Sequence, residues 1–302
     1  PNGFEVIDAT GLHIFPGVID DQVHFREPGA IAKATIYSES RAAVLGGVTS
    51  FMDMPNNNPP ATSNDAIEHK LKIAEKDSYA NYSFYLGATN DNLNEILAVD
   101  KKRICGVKVF MGSSTGNMLV DNDIALEEIF AKSPVLVATH CEDEATIKAN
   151  LQYYKELYTG KEIPFSAHPL IRSREACIKS SSKAIELAKR FGTRLHILHI
   201  STAEEIKMIT DTISDGYKNI TGEICVHYLY FNSKDYEKMG SKIKCNPAIK
   251  DEPDMLALRE AVKDGIIKVV ATDHAPHLLM EKEHDYLNTP SGLPLVQHSF
   301  QL

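Results

Sequence analysis

Six polar residues stand where short apolar runs of this chain stop: His24, Asn56, Lys108, His140, His199 and Asp273. Imidazoles and a carboxylate suit zinc or a similar divalent ion. "ATHCEDE" (138–144) and "LHILHIST" (195–202) repeat one pattern, an apolar strand, then a histidine, then an acidic or hydroxyl-bearing loop. A lone histidine is more often a hydrogen-bonded core or surface residue, but four such donors at successive strand ends point to a metal. His196 precedes His199 by an odd offset, which places it on the opposite face with a structural task. In "VIDDQVHFREPG" (18–29), Asp20, Gln22 and His24 alternate and so share one strand face. His24 is a natural ligand there, whereas the amide oxygen of Gln22 is a weak one. Lys108 lies inside the apolar run "GVKVFMG" (106–112). A charged, unpaired lysine is costly there. Either a buried salt bridge neutralises it, or CO2 carbamylates a desolvated amine of lowered pKa.

These residues need a frame that brings strand ends together. Eight apolar, β-branched runs recur: 16–20, 48–54, 81–88, 104–111, 134–140, 194–200, 223–230 and 266–273. Amphipathic segments separate them, such as those beginning at the candidate N-caps Asn64 and Ser173. Strands buried on both faces and separated by helices mark a parallel sheet. Eight such units match an α/β fold of the (β/α)8 barrel type, in which the C-terminal strand ends converge on one mouth. An open doubly wound sheet would spread the same residues along an edge. Residues 1–15, with "FEVIDATGLHIF", read as strands outside the barrel, which is expected over 16–302.

The chain has 302 residues, 43% of them hydrophobic, and a net charge of -9, which argues against nucleic acid or an anionic membrane as the main partner. No apolar run approaches the roughly 18 residues of a membrane span, and the first residues lack a signal-peptide pattern. Five scattered cysteines without a CxxC pair fit a reduced cytoplasmic protein. The chain opens at Pro1 and is expected to be part of a longer one.

"PGVIDDQVHFREPG", "MPNNNP", "GVKVF", "THCEDE", "HILHIST", "CNPAIK" and "ATDHAPH" occur in this order, from residue 16 to residue 277. In order and spacing they resemble the dihydroorotase family of the amidohydrolase superfamily. The resemblance implies a small β domain of which residues 1–15 form an edge. It also implies that Lys108 is the N6-carboxylated lysine bridging two metals, with His140 and His199 on one ion and His24 and Asp273 on the other. Gln22 departs from the family, whose pattern has histidine there, so one zinc is expected and two remain open. Arg26, Asn56 and His277 would hold the substrate's carboxylate, Arg26 as a two-pronged fork. Asn246 would join the pocket, as would Ser114 and Thr115 from the Gly- and Ser-rich segment 112–118. The implied reaction is reversible hydrolysis of dihydroorotate to N-carbamoyl-aspartate. Asp273 takes a proton from water and returns it to the leaving ring nitrogen. Two alternatives stay open: another cyclic amidohydrolase, such as a dihydropyrimidinase or allantoinase, and a catalytically silent homologue that binds a partner. The sequence leaves homo-oligomerisation open.

Overall fold

The computed structural model describes residues 6–112 and 118–301. Eight strands appear in it: β1 (Val18–Val23), β2 (Val48–Asp53), β3 (Asn81–Gly87), β4 (Gly106–Phe110), β5 (Val137–His140), β6 (Leu195–Ile197), β7 (Ile220–Cys225) and β8 (Val269–Ala271). Each pairs in parallel with the next, in sequence order. A parallel bridge between Val23 and His274 closes the ring, and the His24 N–H donates to the His274 carbonyl at 2.7 Å. This is the expected (β/α)8 barrel.

Side-chain alternation separates two cores. Val107 and Val109 of β4, Val137 of β5, and Leu195 and Ile197 of β6 pack outward against the helices. Met54, Tyr85, Ala138 and Leu198, from four different strands or their ends, meet in a separate buried cluster. Only the barrel interior lets such strands touch. Gly106 makes room there, since a Cβ would come within 3.2 Å of the Tyr85 ring.

Helices follow from local chemistry. Helix Asn64–Asp77 starts one residue before the expected cap: the Ser63 hydroxyl accepts from the Ala66 N–H at 3.2 Å, and Asn64 is already helical. Helix Arg174–Phe191 has Ser173 at its N-cap and stops at Gly192, whose φ of 74° suits glycine. The seventh expected strand is half right. It ends at Cys225, and 226–230 is a short helix, Val226–Tyr230, with Val226, His227 and Tyr228 buried. Of the strands expected over 1–15, the described part, residues 6–15, forms none, and Val6, Ile7, Leu12 and Ile14 are exposed there.

Candidate active site

One cavity of about 340 Å³ opens at the C-terminal end of the barrel. Gln22, His24, Lys108, His140, His199 and Asp273 line it on the inner side, and Arg26, Asn56, Asn246 and His277 also contribute. All ten expected residues that fall in the described chain therefore meet in one place. Ser114 and Thr115 lie outside the described residues.

The donors form two close pairs. His140 Nδ1 and His199 Nε2 lie 2.9 Å apart. His140 gives its other nitrogen to Glu142 at 2.8 Å, and the Arg172 guanidinium forks onto the same carboxylate, with Nε 3.1 Å from Oε1 and Nη2 on Oε2. This fixes the proton on His140 Nε2 and turns the lone pair of Nδ1 toward His199. Burial lowers the pKa of both imidazoles, that of His199 strongly, so they stay in the neutral form that binds metals. On the other side, His24 Nε2 and Gln22 Nε2 lie 2.9 and 3.1 Å from Asp273 Oδ1. His24 is oriented by Asn56 Oδ1, 2.7 Å from its Nδ1. Burial alone would raise the Asp273 pKa, but the hydrogen bond and charge of His24 pull it below the ordinary carboxylate value.

Lys108 has no salt bridge among the described residues. Its Nζ lies over the Phe110 ring at 4.6 Å, and burial lowers its pKa to about 8. Part of the amine is then neutral near physiological pH and able to add CO2. The residues present fit a divalent ion. His199 Nδ1 is buried without a hydrogen-bond partner, two neutral imidazole nitrogens face each other, and the amine between β3 and β5 is convertible to an oxygen donor. The Gln22 carbonyl, its one ligating atom, lies 3.9 Å from Cys225 Sγ, while its N–H faces Asp273.

Two sequence expectations change. Asp20 does not share the site face: register shifts along β1 turn it to Thr272, whose hydroxyl donates to Oδ2 at 2.6 Å. His196 is not on the outer face. It points into the barrel and reaches Glu223 at 3.1 Å and Asp21 of β1 at 3.4 Å, a contact across the lumen. His199 is the residue that breaks alternation, through a φ of 39°. Arg26 (φ 65°) and Asp273 (φ 48°) also take this left-handed region, and no other non-glycine residue among those described does.

Arg26 has no acidic partner among the described residues and no bond to Asp20 or Glu27. Its Nε–H donates to the Pro276 carbonyl at 3.1 Å, and Nη2 lies 3.0 Å from His277 Nε2. Lys33 Nζ is 3.1 Å from His277 Nδ1 and is itself paired with Glu281 at 2.8 Å. Burial, then the Arg26 and Lys33 charges, push the His277 pKa down to about 3, so the ring is neutral. Asn246 receives the Ser291 hydroxyl at 3.1 Å. Glu142, Arg172, Lys33 and Glu223 were not expected as site partners. Glu142 sits inside "THCEDE", two residues after His140, which was the one available signal.

Residues 13–293 match the amidohydrolase family. The dihydroorotase of Methanosarcina acetivorans is 34% identical over 301 residues, 97% of this chain and 63% of that protein. The dihydroorotase of Enterococcus faecalis is 32% identical over 99% of this chain and 68% of its own length. An allantoinase of Desulfitobacterium hafniense is 33% identical over 98% of this chain and 66% of its length. Among solved structures, the L-hydantoinase (dihydropyrimidinase) from Arthrobacter aurescens superposes with a TM-score of 0.91 at 27% identity, over 97% of this chain and 66% of that one. The chain thus spans about two thirds of these relatives, and its barrel, its cavity and nearly its whole length place it in the amidohydrolase family.

Proposed function

We propose that this chain is the catalytic barrel of a dihydroorotase. It hydrolyses the cyclic amide of dihydroorotate to N-carbamoyl-aspartate and, in reverse, closes that ring for de novo pyrimidine (UMP) biosynthesis. The observation that carries this reading is Arg26, a half-buried guanidinium without an acidic partner among the described residues, aimed into the cavity. A carboxylate is the group such a fork is built to meet. Dihydroorotate carries one on its ring, and hydantoins, dihydrouracil and allantoin do not. Asn56 and Asn246 bring side-chain amides to the same cavity, and neutral His277 lies against Arg26 there.

The neutral Lys108 amine adds CO2, loses a proton and becomes an oxygen donor beside His140 and His199. A zinc ion held by these three would supply Lewis acidity toward the ring carbonyl and toward water. Gln22, a donor to Asp273 and not a histidine, supports one ion per chain. Asp273 is ionised and lies on the cavity wall, so it takes the proton of the attacking water and hands it to the leaving ring nitrogen. Binding a partner alone would need none of these groups to share one cavity.

Five free cysteines, and the absence among the described residues of any helix long and apolar enough to cross a membrane, support a cytoplasmic setting for a small-molecule enzyme. The likeness to hydantoinases and allantoinases favours a second reading, a neutral cyclic amide as substrate. Turnover of dihydroorotate, dihydrouracil and allantoin by the zinc- and bicarbonate-loaded protein decides between them. Preference for either neutral amide would overturn the assignment.

A further inference from the structure

Below the cavity lies a buried ion cluster that no step above uses. Among the described residues, three metal-type donors come within 4.8 Å of one another only at Asp21 of β1, His196 of β6 and Glu223 of β7. His196 uses both ring nitrogens. Nδ1 is 2.8 Å from the Thr221 hydroxyl, and Nε2 faces both Glu223 Oε2 and Asp21 Oδ2. Burial alone would lower its pKa; the hydrogen bonds and charges of Asp21 and Glu223 overcome burial and raise it to about 9. Burial in turn raises the Glu223 pKa to about 8, and the His196 ring holds the cluster together through one nitrogen that faces both carboxylates.

The cluster reaches upward through one carboxylate. Glu223 is fully buried, with Oε2 on His196 and Oε1 accepting the main-chain N–H of His199 at 3.1 Å. That N–H belongs to a residue in a left-handed conformation. Along β6, Leu195 and Ile197 face outward and His196 and Leu198 inward, so a straight continuation would turn His199 outward. Its φ of 39° returns the ring to the cavity. Such a conformation costs about 1–3 kcal/mol in a non-glycine residue and persists only where its surroundings enforce it.

We propose that Glu223 is a positioning residue, which clamps the main chain of His199 so that its ring faces the metal site, and that His196, gripped by Asp21, anchors the clamp. This rests on the reading of His140 and His199 as metal ligands. A glutamine at 223 cannot serve both ends, because its amide oxygen can stay on the His199 N–H only if its NH2 group faces the His196 N–H.

The test is zinc affinity, measured by competition with a chromophoric chelator on metal-free wild type, Glu223→Gln and His196→Gln, beside the thermal midpoint of each metal-free protein. In Glu223→Gln the affinity is expected to fall about 10- to 100-fold, as for other groups that orient metal-binding histidines. The same direction is expected in His196→Gln, which keeps the Glu223 bond to His199 but removes the ring that anchors Glu223. An affinity in Glu223→Gln within about twofold of wild type overturns the clamp. If Glu223→Gln does not fold, His196→Gln decides: weaker zinc supports the clamp and unchanged zinc overturns it. A wild type that takes up no zinc instead overturns the metal reading, and the clamp with it.

Discussion

Replacing Arg26 by methionine tests the proposed substrate through a difference between two ligands. Methionine keeps much of the stem volume and removes the fork. A ring carboxylate docked on the guanidinium gains two charge-assisted hydrogen bonds, each worth about 1.5–3 kcal/mol. The change also strands the Pro276 carbonyl, which now receives Nε–H at 3.1 Å. That loss of about 1 kcal/mol falls on every substrate alike and cancels in a ratio. What remains is about 3–6 kcal/mol of discrimination, or about 150- to 25,000-fold in kcat/KM. Initial rates on dihydroorotate and dihydrouracil, both well below saturation, give that ratio for wild type and Arg26→Met. Equal losses on the two substrates, or a loss on dihydroorotate below about tenfold, would refute the carboxylate argument.

Three other outcomes are expected. Asp273→Asn should lower turnover of the zinc-loaded protein at least about 100-fold, and near-normal turnover would remove Asp273 as the proton acceptor. At fixed dissolved CO2, reactivation of decarbonated protein should quicken as pH rises through about 8, where burial sets the Lys108 amine and above which it is neutral. A rate unchanged across that range, or one surviving in Lys108→Ala, would exclude the carbamate. Arg172→Met should destabilise the metal-free protein by about 3–5 kcal/mol, read from its unfolding midpoint, because Glu142 is left buried without its counter-charge. Burial raises the Glu142 pKa, but Arg172 and His140 hold it far below its ordinary 4.5. A depressed carboxylate stabilises fully above that ordinary value, and the gain fades as pH falls beneath it. The destabilisation should therefore shrink in acid, and a pH-independent difference would contradict the pairing.

The barrel was legible because its signal is a pattern repeated eight times. Six of the eight apolar runs contain a strand and the other two, 16–20 and 223–230, overlap one, and the polar residues at their ends converge as a barrel requires. Where the strands stop was not legible. The runs at 194–200 and 266–273 continue in apolar or β-branched residues, yet β6 ends at Ile197 and β8 at Ala271. The chain leaves the ladder there to turn His199 and Asp273 inward, a conformation that composition does not record. The run 223–230 is mostly apolar, broken by Glu223 and His227, and so short a stretch has no period that separates strand from helix. Parity arguments failed wherever the backbone departs from a regular strand. The register shifts of β1 send Asp20 to Thr272 and bring Asp21 into the lumen, and the turn at His199 reverses the face inferred for His196. Partners such as Glu142 and Arg172, 30 residues apart, meet only through packing.

The three left-handed residues tie stability to chemistry. Arg26, His199 and Asp273 line one cavity and carry the proposed anion contact, metal contact and proton transfer. Each conformation costs about 1–3 kcal/mol, a large share of a net stability of about 5–15 kcal/mol. Each is held from outside the cavity by a carboxylate acting at or next to the strained residue, fully buried at Asp53 and Glu223 and partly exposed at Glu39. The Phe25 N–H, just before Arg26, donates to Asp53 at 2.9 Å, and Lys70 pairs with that carboxylate at 2.6 Å. The N–H of His199 itself goes to Glu223. His274, just after Asp273, is bound through Nε2 to Glu39 at 2.6 Å. None of the three carboxylates lines the cavity. Changes at Asp53, Glu223 or Glu39 would thus let a strained turn relax and draw a reacting group out of place while leaving every cavity residue intact. Relaxation returns part of the strain energy and so offsets part of the cost of losing each carboxylate; at Asp53 that cost is large, because Lys70 is left buried without its counter-charge.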